Sequence, residues 1–148
     1  MLNWSMVDMA AHYILINLYE LNKHRTASDL IGPIGLSRKL DLIEKARKAG
    51  EIGLEGQELC DALKLANSSF LKNRNIVAHG VLTDPWDDQS RKLMSMTKFD
   101  FPSIDESQLE IVHRQSSYAS QAATSLLKFL ADKRPPSALP PKPPELSS

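Results

Sequence analysis

Apolar residues return at steps of three and four along most of this chain, and that spacing admits helices and little else. Trp4, Val7, Ala11, Ile14, Leu18 and Leu21 keep the period through the first segment. Leu40, Ile43 and Ala46 keep it through a second, which Ser37 is placed to cap. Leu59, Leu63, Ala66, Phe70 and Val77 line a third run from about 54 to 79, and Gly80 suits the position just past its end. Leu109, Val112, Ser116, Ala119, Ala123, Leu126 and Leu130 line the last, which Ser103 and Glu106 open as a capping box. Breakers at Ile31-Gly32-Pro33-Ile34-Gly35 and at residues 50–53 separate the early segments.

Between the third and fourth segments the period changes. Residues 81–83 and 93–97 read as short strands around the turn-forming Asp84-Pro85-Trp86-Asp87-Asp88. From Pro135 the chain is rich in proline, which neither a helix nor a sheet can use, so residues 135–148 are expected to be an extended or disordered tail. A peptide-ligand role is the minority reading of such a tail. The expected fold is all-α: a four-helix bundle over 1–134 with a small β-hairpin inserted before the last helix.

The first segment also carries Met6, Met9, Tyr13, Leu15, Ile16 and Tyr19, so it is apolar on nearly every side. A helix of that kind is either central in its own domain or covered partly by a second chain. The two readings stand level, and a homodimer is one expectation.

At 148 residues the chain supports one sizeable core. Lys+Arg and Asp+Glu both total 18, so the net charge is zero. That balance argues against a broad nucleic-acid surface while leaving room for a local positive pocket. The most basic stretch is Arg38, Lys39, Lys45, Arg47 and Lys48 on the second helix. It reads first as a solvated face and second as a guide for an anion. Cys60 is the single cysteine and reads as a buried thiol. His12, His24 and His113 lack metal-ligand spacing, so neither a metal site nor another cofactor is expected. No segment has the apolar length of a membrane span, and the opening residues lack a basic leader, so a cytoplasmic protein is expected.

The chemistry concentrates in Lys72-Asn73-Arg74-Asn75-Ile76-Val77-Ala78-His79-Gly80. Arginine keeps its charge beside phosphate, and histidine moves protons near neutral pH. On a regular helix Arg74 projects about 40° from Phe70 and shares the buried arc, where its guanidinium requires a partner. Ser68, Lys72, Asn75 and His79 follow steps of four, three and four, and form one polar stripe. Arg74 and His79 lie about 140° apart on such a helix. They converge only if the last turn loosens or if two copies of the chain share a pocket. The plain structural alternative is a histidine on the helix dipole and an arginine bracing a neighbouring helix.

The run Phe70 to Gly80 resembles the signature of the HEPN family: an arginine, four to six residues, then a histidine, often with a polar residue directly after the arginine. Here the gap is four and Asn75 is that polar residue. The resemblance implies an all-α bundle that dimerises and cleaves RNA without metal. By carry-over, His79 moves the proton of the ribose 2′-hydroxyl or of the leaving oxygen, Arg74 stabilises the pentacoordinate phosphate, and Asn75 orients the pair. Lys72 and Ser68 are the substrate-binding candidates. Many members act as toxins or in defence against phage, where a neutralising protein partner is expected. Others are inactive interaction modules, which is the alternative for this chain.

Overall fold

The computed structural model describes residues 2–19, 31, 33–74, 80–82, 92–95, 103–136 and 138–145, by backbone alone at residue 2 and in the strands. The architecture is all-α, with four α-helices among the described residues. Helix α1 is Leu2–Leu18, α2 is Leu36–Lys48, α3 is Gln57–Leu65 and α4 is Glu106–Asp132. A 3₁₀ turn, Leu54–Gly56, leads into α3, which runs on through a π turn, Ala66–Phe70, and further helical residues to 74.

The core is where the inner stripes of these helices meet. Val7, Ala11 and Ile14 of α1, Ile43 of α2, Leu59 and Leu63 of α3, and Ala119, Ala123 and Leu126 of α4 are all enclosed, with Phe70 fully buried among them. Removing a side chain of that size from water stabilises the fold by roughly 1.5–3 kcal/mol. Helix α1 packs most extensively on α4. Ala10 and Ala11 on one and Ala119, Ala122 and Ala123 on the other are small enough to let the two backbones approach. Asn3 adds a polar tie at this contact, donating from Nδ2 to Ser116 Oγ at 3.3 Å.

Helix α2 does not begin as expected. Gly35 stands at its N-cap with no side-chain cap, and Ser37 lies inside the helix. The Ser37 hydroxyl instead donates to Asn67 Oδ1 at 2.8 Å. The far end follows its glycine. Gly50 adopts φ +78°, its N–H bonds the Arg47 carbonyl, and the Glu51 N–H bonds the Ala46 carbonyl. Those two bonds are the Schellman arrangement, which closes the last open carbonyls of a helix.

Strands β1 (Gly80–Leu82), β2 (Lys92–Ser95) and β3 (Ser103–Asp105) pair antiparallel in the order β1-β2-β3. Gly80, expected past a helix end, is the first residue of β1 and pairs with Ser95. Ser103, expected as the cap of the last helix, pairs with Met94, and α4 starts at Glu106. A three-residue strand is too short to show alternation, so the capping pattern masked it. The turn expected at 84–88 lies outside the described residues.

The proline-rich segment lies against α4. Residues 138–145 carry no regular structure, yet Leu139 packs on the core, Pro143 is buried, and the Pro144 carbonyl accepts from Gln115 Nε2 at 3.0 Å. Composition showed that the segment cannot form a helix or sheet. It did not show that α4 presents a seat for it.

Candidate functional site

The segment that carries the candidate residues is not a regular helix. The Leu71 N–H bonds the Ala66 carbonyl, five residues back, which is the bond of a π turn. Asn67, Ser68 and Ser69 supply the local reason, because short polar side chains compete for the backbone and weaken an α-helix. Asn67 then holds the widened turn against α2. It accepts from Ser37 and donates to Asp41 Oδ1 at 2.8 Å, spanning one turn of that helix. Ser68 Oγ donates to the Leu65 carbonyl at 3.2 Å.

A π turn adds about one residue to the turn, so residues 71–74 are rotated by about 100° from a straight α-helical projection. Ser68 lies within this turn and Lys72 beyond it, so the step between these two is not that of a regular α-helix. Ser68 and Lys72 are both exposed, and the Ser68 hydroxyl donates to the Leu65 carbonyl one turn back. Arg74 is half-buried and its Nε is enclosed, in keeping with its place on the Phe70 side. Asn75 and His79 lie outside the described residues.

Asn73, which precedes Arg74, is the residue the sequence reading passed over. Its Nδ2 donates to Gln115 Oε1 on α4 at 3.0 Å. Gln115 is fully buried and passes the connection on to the Pro144 carbonyl. The signal was present. On a regular turn Asn73 lies about 60° from Phe70, on the buried arc, where a carboxamide needs a partner.

The basic stretch of α2 is not one solvated face. Lys39 is buried and bonds Asp8 Oδ1 of α1 at 2.7 Å. Arg47 pairs with Glu44 and, at 2.8 Å, with Asp61 of α3. The Arg47 hydrogen bond holds the Glu44 carboxyl below its ordinary range. Two of the five cations therefore brace helices, and Arg38, Lys45 and Lys48 stay exposed. Cys60 is buried beside them, and burial pushes its thiol up to about 11. Such a thiol is a poor nucleophile.

His12 is half-buried on α1, His113 is exposed, and His24 is outside the described residues. Among the described residues no three His, Cys, Asp or Glu side chains group as metal ligands, and no helix is long and apolar enough to cross a membrane. No family model, curated protein or solved structure matches the chain.

Proposed function

We propose that the chain is a HEPN-like four-helix bundle acting as a metal-independent endoribonuclease, with Arg74, Asn75 and His79 as its catalytic set. One observation carries the reading. Arg74 ends the described part of the third helical run, half-buried with its Nε enclosed, five positions ahead of His79. A guanidinium set back from water interacts more strongly with a phosphate than one on an open surface. In the reaction His79 takes the proton of the 2′-hydroxyl, the 2′-oxygen attacks the adjacent phosphorus as the bond from phosphorus to the 5′-oxygen breaks, and the protonated imidazole gives its proton to the leaving 5′-oxygen. Arg74 offsets the charge of the pentacoordinate phosphate and Asn75 orients the imidazole. The products are a 2′,3′-cyclic phosphate and a 5′-hydroxyl. Lys72 and Ser68, both exposed, hold the flanking backbone of the RNA.

In this reading two copies build the site, and the role is that of a toxin or defence component with a neutralising protein partner. The outward side of α1, with Met6 and Met9 exposed and Tyr19 exposed just past its end, is the apolar face available to a second copy. Leu18 packs on the core, so Met9→Glu is the variant that tests the contact by elution volume.

A second reading, an inactive interaction module of the same fold, is favoured by the zero net charge and the exposed methionines. Incubation with mixed RNA in excess EDTA separates the two. Cleavage with cyclic-phosphate ends, lost in folded Arg74→Ala and His79→Ala variants, supports the nuclease. Equal cleavage by all three proteins, or by none, supports the module.

A further inference from the structure

The tail and α4 are matched in length. Helix α4 ends at Asp132, and the chain turns back along it. Ala138 and Leu139 lie with Thr124, Ser125 and Lys128, whereas Pro144 lies with Arg114 and Gln115. From Ser125 to Gln115 the helix covers about 15 Å at 1.5 Å per residue. From Leu139 to Pro144 a polyproline-type chain covers about 15 Å at 3.1 Å per residue. A chain in a more contracted form would fall short of one anchor, so the seat selects the polyproline-type form.

The chemistry of the seat fits the same ligand. A proline-rich strand offers carbonyls and no N–H at its prolines, so it binds through donors and apolar surface. Gln115 is the donor, buried in the helix and held at its other end by Asn73. Leu139 and buried Pro143 are the apolar anchors, four residues apart, with Pro141 and Lys142 exposed between them. Tyr118 stands at the seat as an aromatic wall, edge-on to Phe70 with ring centroids 6.4 Å apart. Burial keeps its phenol protonated beyond the ordinary range, and the Glu58 charge adds to that. The seat is not tightly filled. A cleft of about 320 Å³ remains between residues 140–144 and Arg114, Ser117, Tyr118 and Gln121. Two anchors and one side-chain hydrogen bond make an exchangeable contact.

We propose that the 114–125 face of α4 is a receptor for an extended proline-rich peptide, occupied in cis by residues 138–145 and able to take the same chemistry from another molecule when they leave. Because Gln115 holds both Asn73 and Pro144, departure of the tail is felt at the residue preceding Arg74. The inference stands whether or not the chain cleaves RNA.

The test uses the full-length chain labelled with nitrogen-15. A tethered tail competes at about millimolar effective concentration, so the tail must first be released. Leu139→Glu with Pro143→Glu does this without touching the seat. The Ser117, Tyr118 and Gln121 amides and the Asn73 side-chain amide should leave their parent positions. A synthetic peptide of residues 135–148, added to several millimolar, should return them. The same peptide carrying both glutamates should not. Unmoved resonances in the released chain, or moved resonances that the native peptide fails to return, overturn the proposal. A second measurement needs no released tail. A nitroxide on Glu145→Cys should broaden the amides of residues 113–116 selectively, Cys60 being buried and its thiol protonated. Uniform, weak broadening would overturn the seat.

Discussion

Lys39 on α2 reaches Asp8 on α1, Nζ to Oδ1 at 2.7 Å, with the lysine side chain 5% exposed and the aspartate 48%. The cation is enclosed and its partner is half in water, so the two residues are not equivalent. Desolvation falls mainly on the lysine, and the aspartate is what makes its burial tolerable.

Asp8→Ala is therefore expected to cost about 1–3 kcal/mol, because it leaves a buried ammonium without its carboxylate. Lys39→Met, which keeps the apolar stem and removes the charge, should cost less. Urea unfolding of both variants gives the order. A larger loss for Lys39→Met would mean that the ion pair itself stabilises the contact between α1 and α2.

The Asn73–Gln115 bond has a measurable coupling. Asn73→Ala leaves Gln115 Oε1 buried without that donor and should destabilise the chain by about 1–2 kcal/mol. Combined with Gln115→Ala, the double-mutant cycle should return a coupling of about 1 kcal/mol. Strict additivity in thermal or urea melts would show that the bond contributes nothing.

Two glycines are held for different reasons. A Cβ on Gly56 would meet Ile52 Cγ2 at 2.9 Å and Phe129 Cε1 at 3.3 Å, so Gly56→Ala overpacks the corner and should cost about 1–3 kcal/mol. At Gly50 there is open space but φ is +78°, and Gly50→Ala should cost about 1 kcal/mol from backbone strain alone. Denaturant midpoints should rank Gly56→Ala as the weaker protein, and the reverse order would contradict the contact at Ile52.

Cys60 gives a pH dependence. Its thiol loses a proton near 9.0 when unfolded but only at about 11 when folded. Its contribution to stability is whole below pH 9 and is lost as pH rises toward 11, by an amount on the order of 2 kcal/mol. Cys60→Ala should flatten the stability profile across that window relative to the parent. In the parent, a disulfide reagent at pH 8 should label the thiol slowly until denaturant is added; rapid labelling of the folded chain would refute its burial.

The helices were legible because their apolar spacing is local and regular. Trp4, Val7, Ala11 and Ile14 are buried as their period requires, and so are Leu40, Ile43 and Ala46. Misreadings fell where one local pattern served two structures. Ser103 through Glu106 spells a capping box, yet Ser103–Asp105 is a strand paired to β2. Ser37 has a cap's chemistry but bonds Asn67, thirty residues away. Of the candidate site, sequence alone marked Arg74 as turned toward the interior. It did not show the π turn at Ala66–Phe70, which Asn67 holds against α2 through Ser37 and Asp41.

By itself, then, the sequence determined the all-α class, the inward face of each long helix and the position of the Arg74 to His79 spacing on which the proposal rests. These follow from periodicity and residue type, which act over a few residues. Only the tertiary structure decided which polar groups are partners: Lys39 with Asp8, Asn73 with Gln115, and Gln115 with the tail at Pro144. A buried polar side chain must find a partner, but which one depends on where distant segments are brought together by packing.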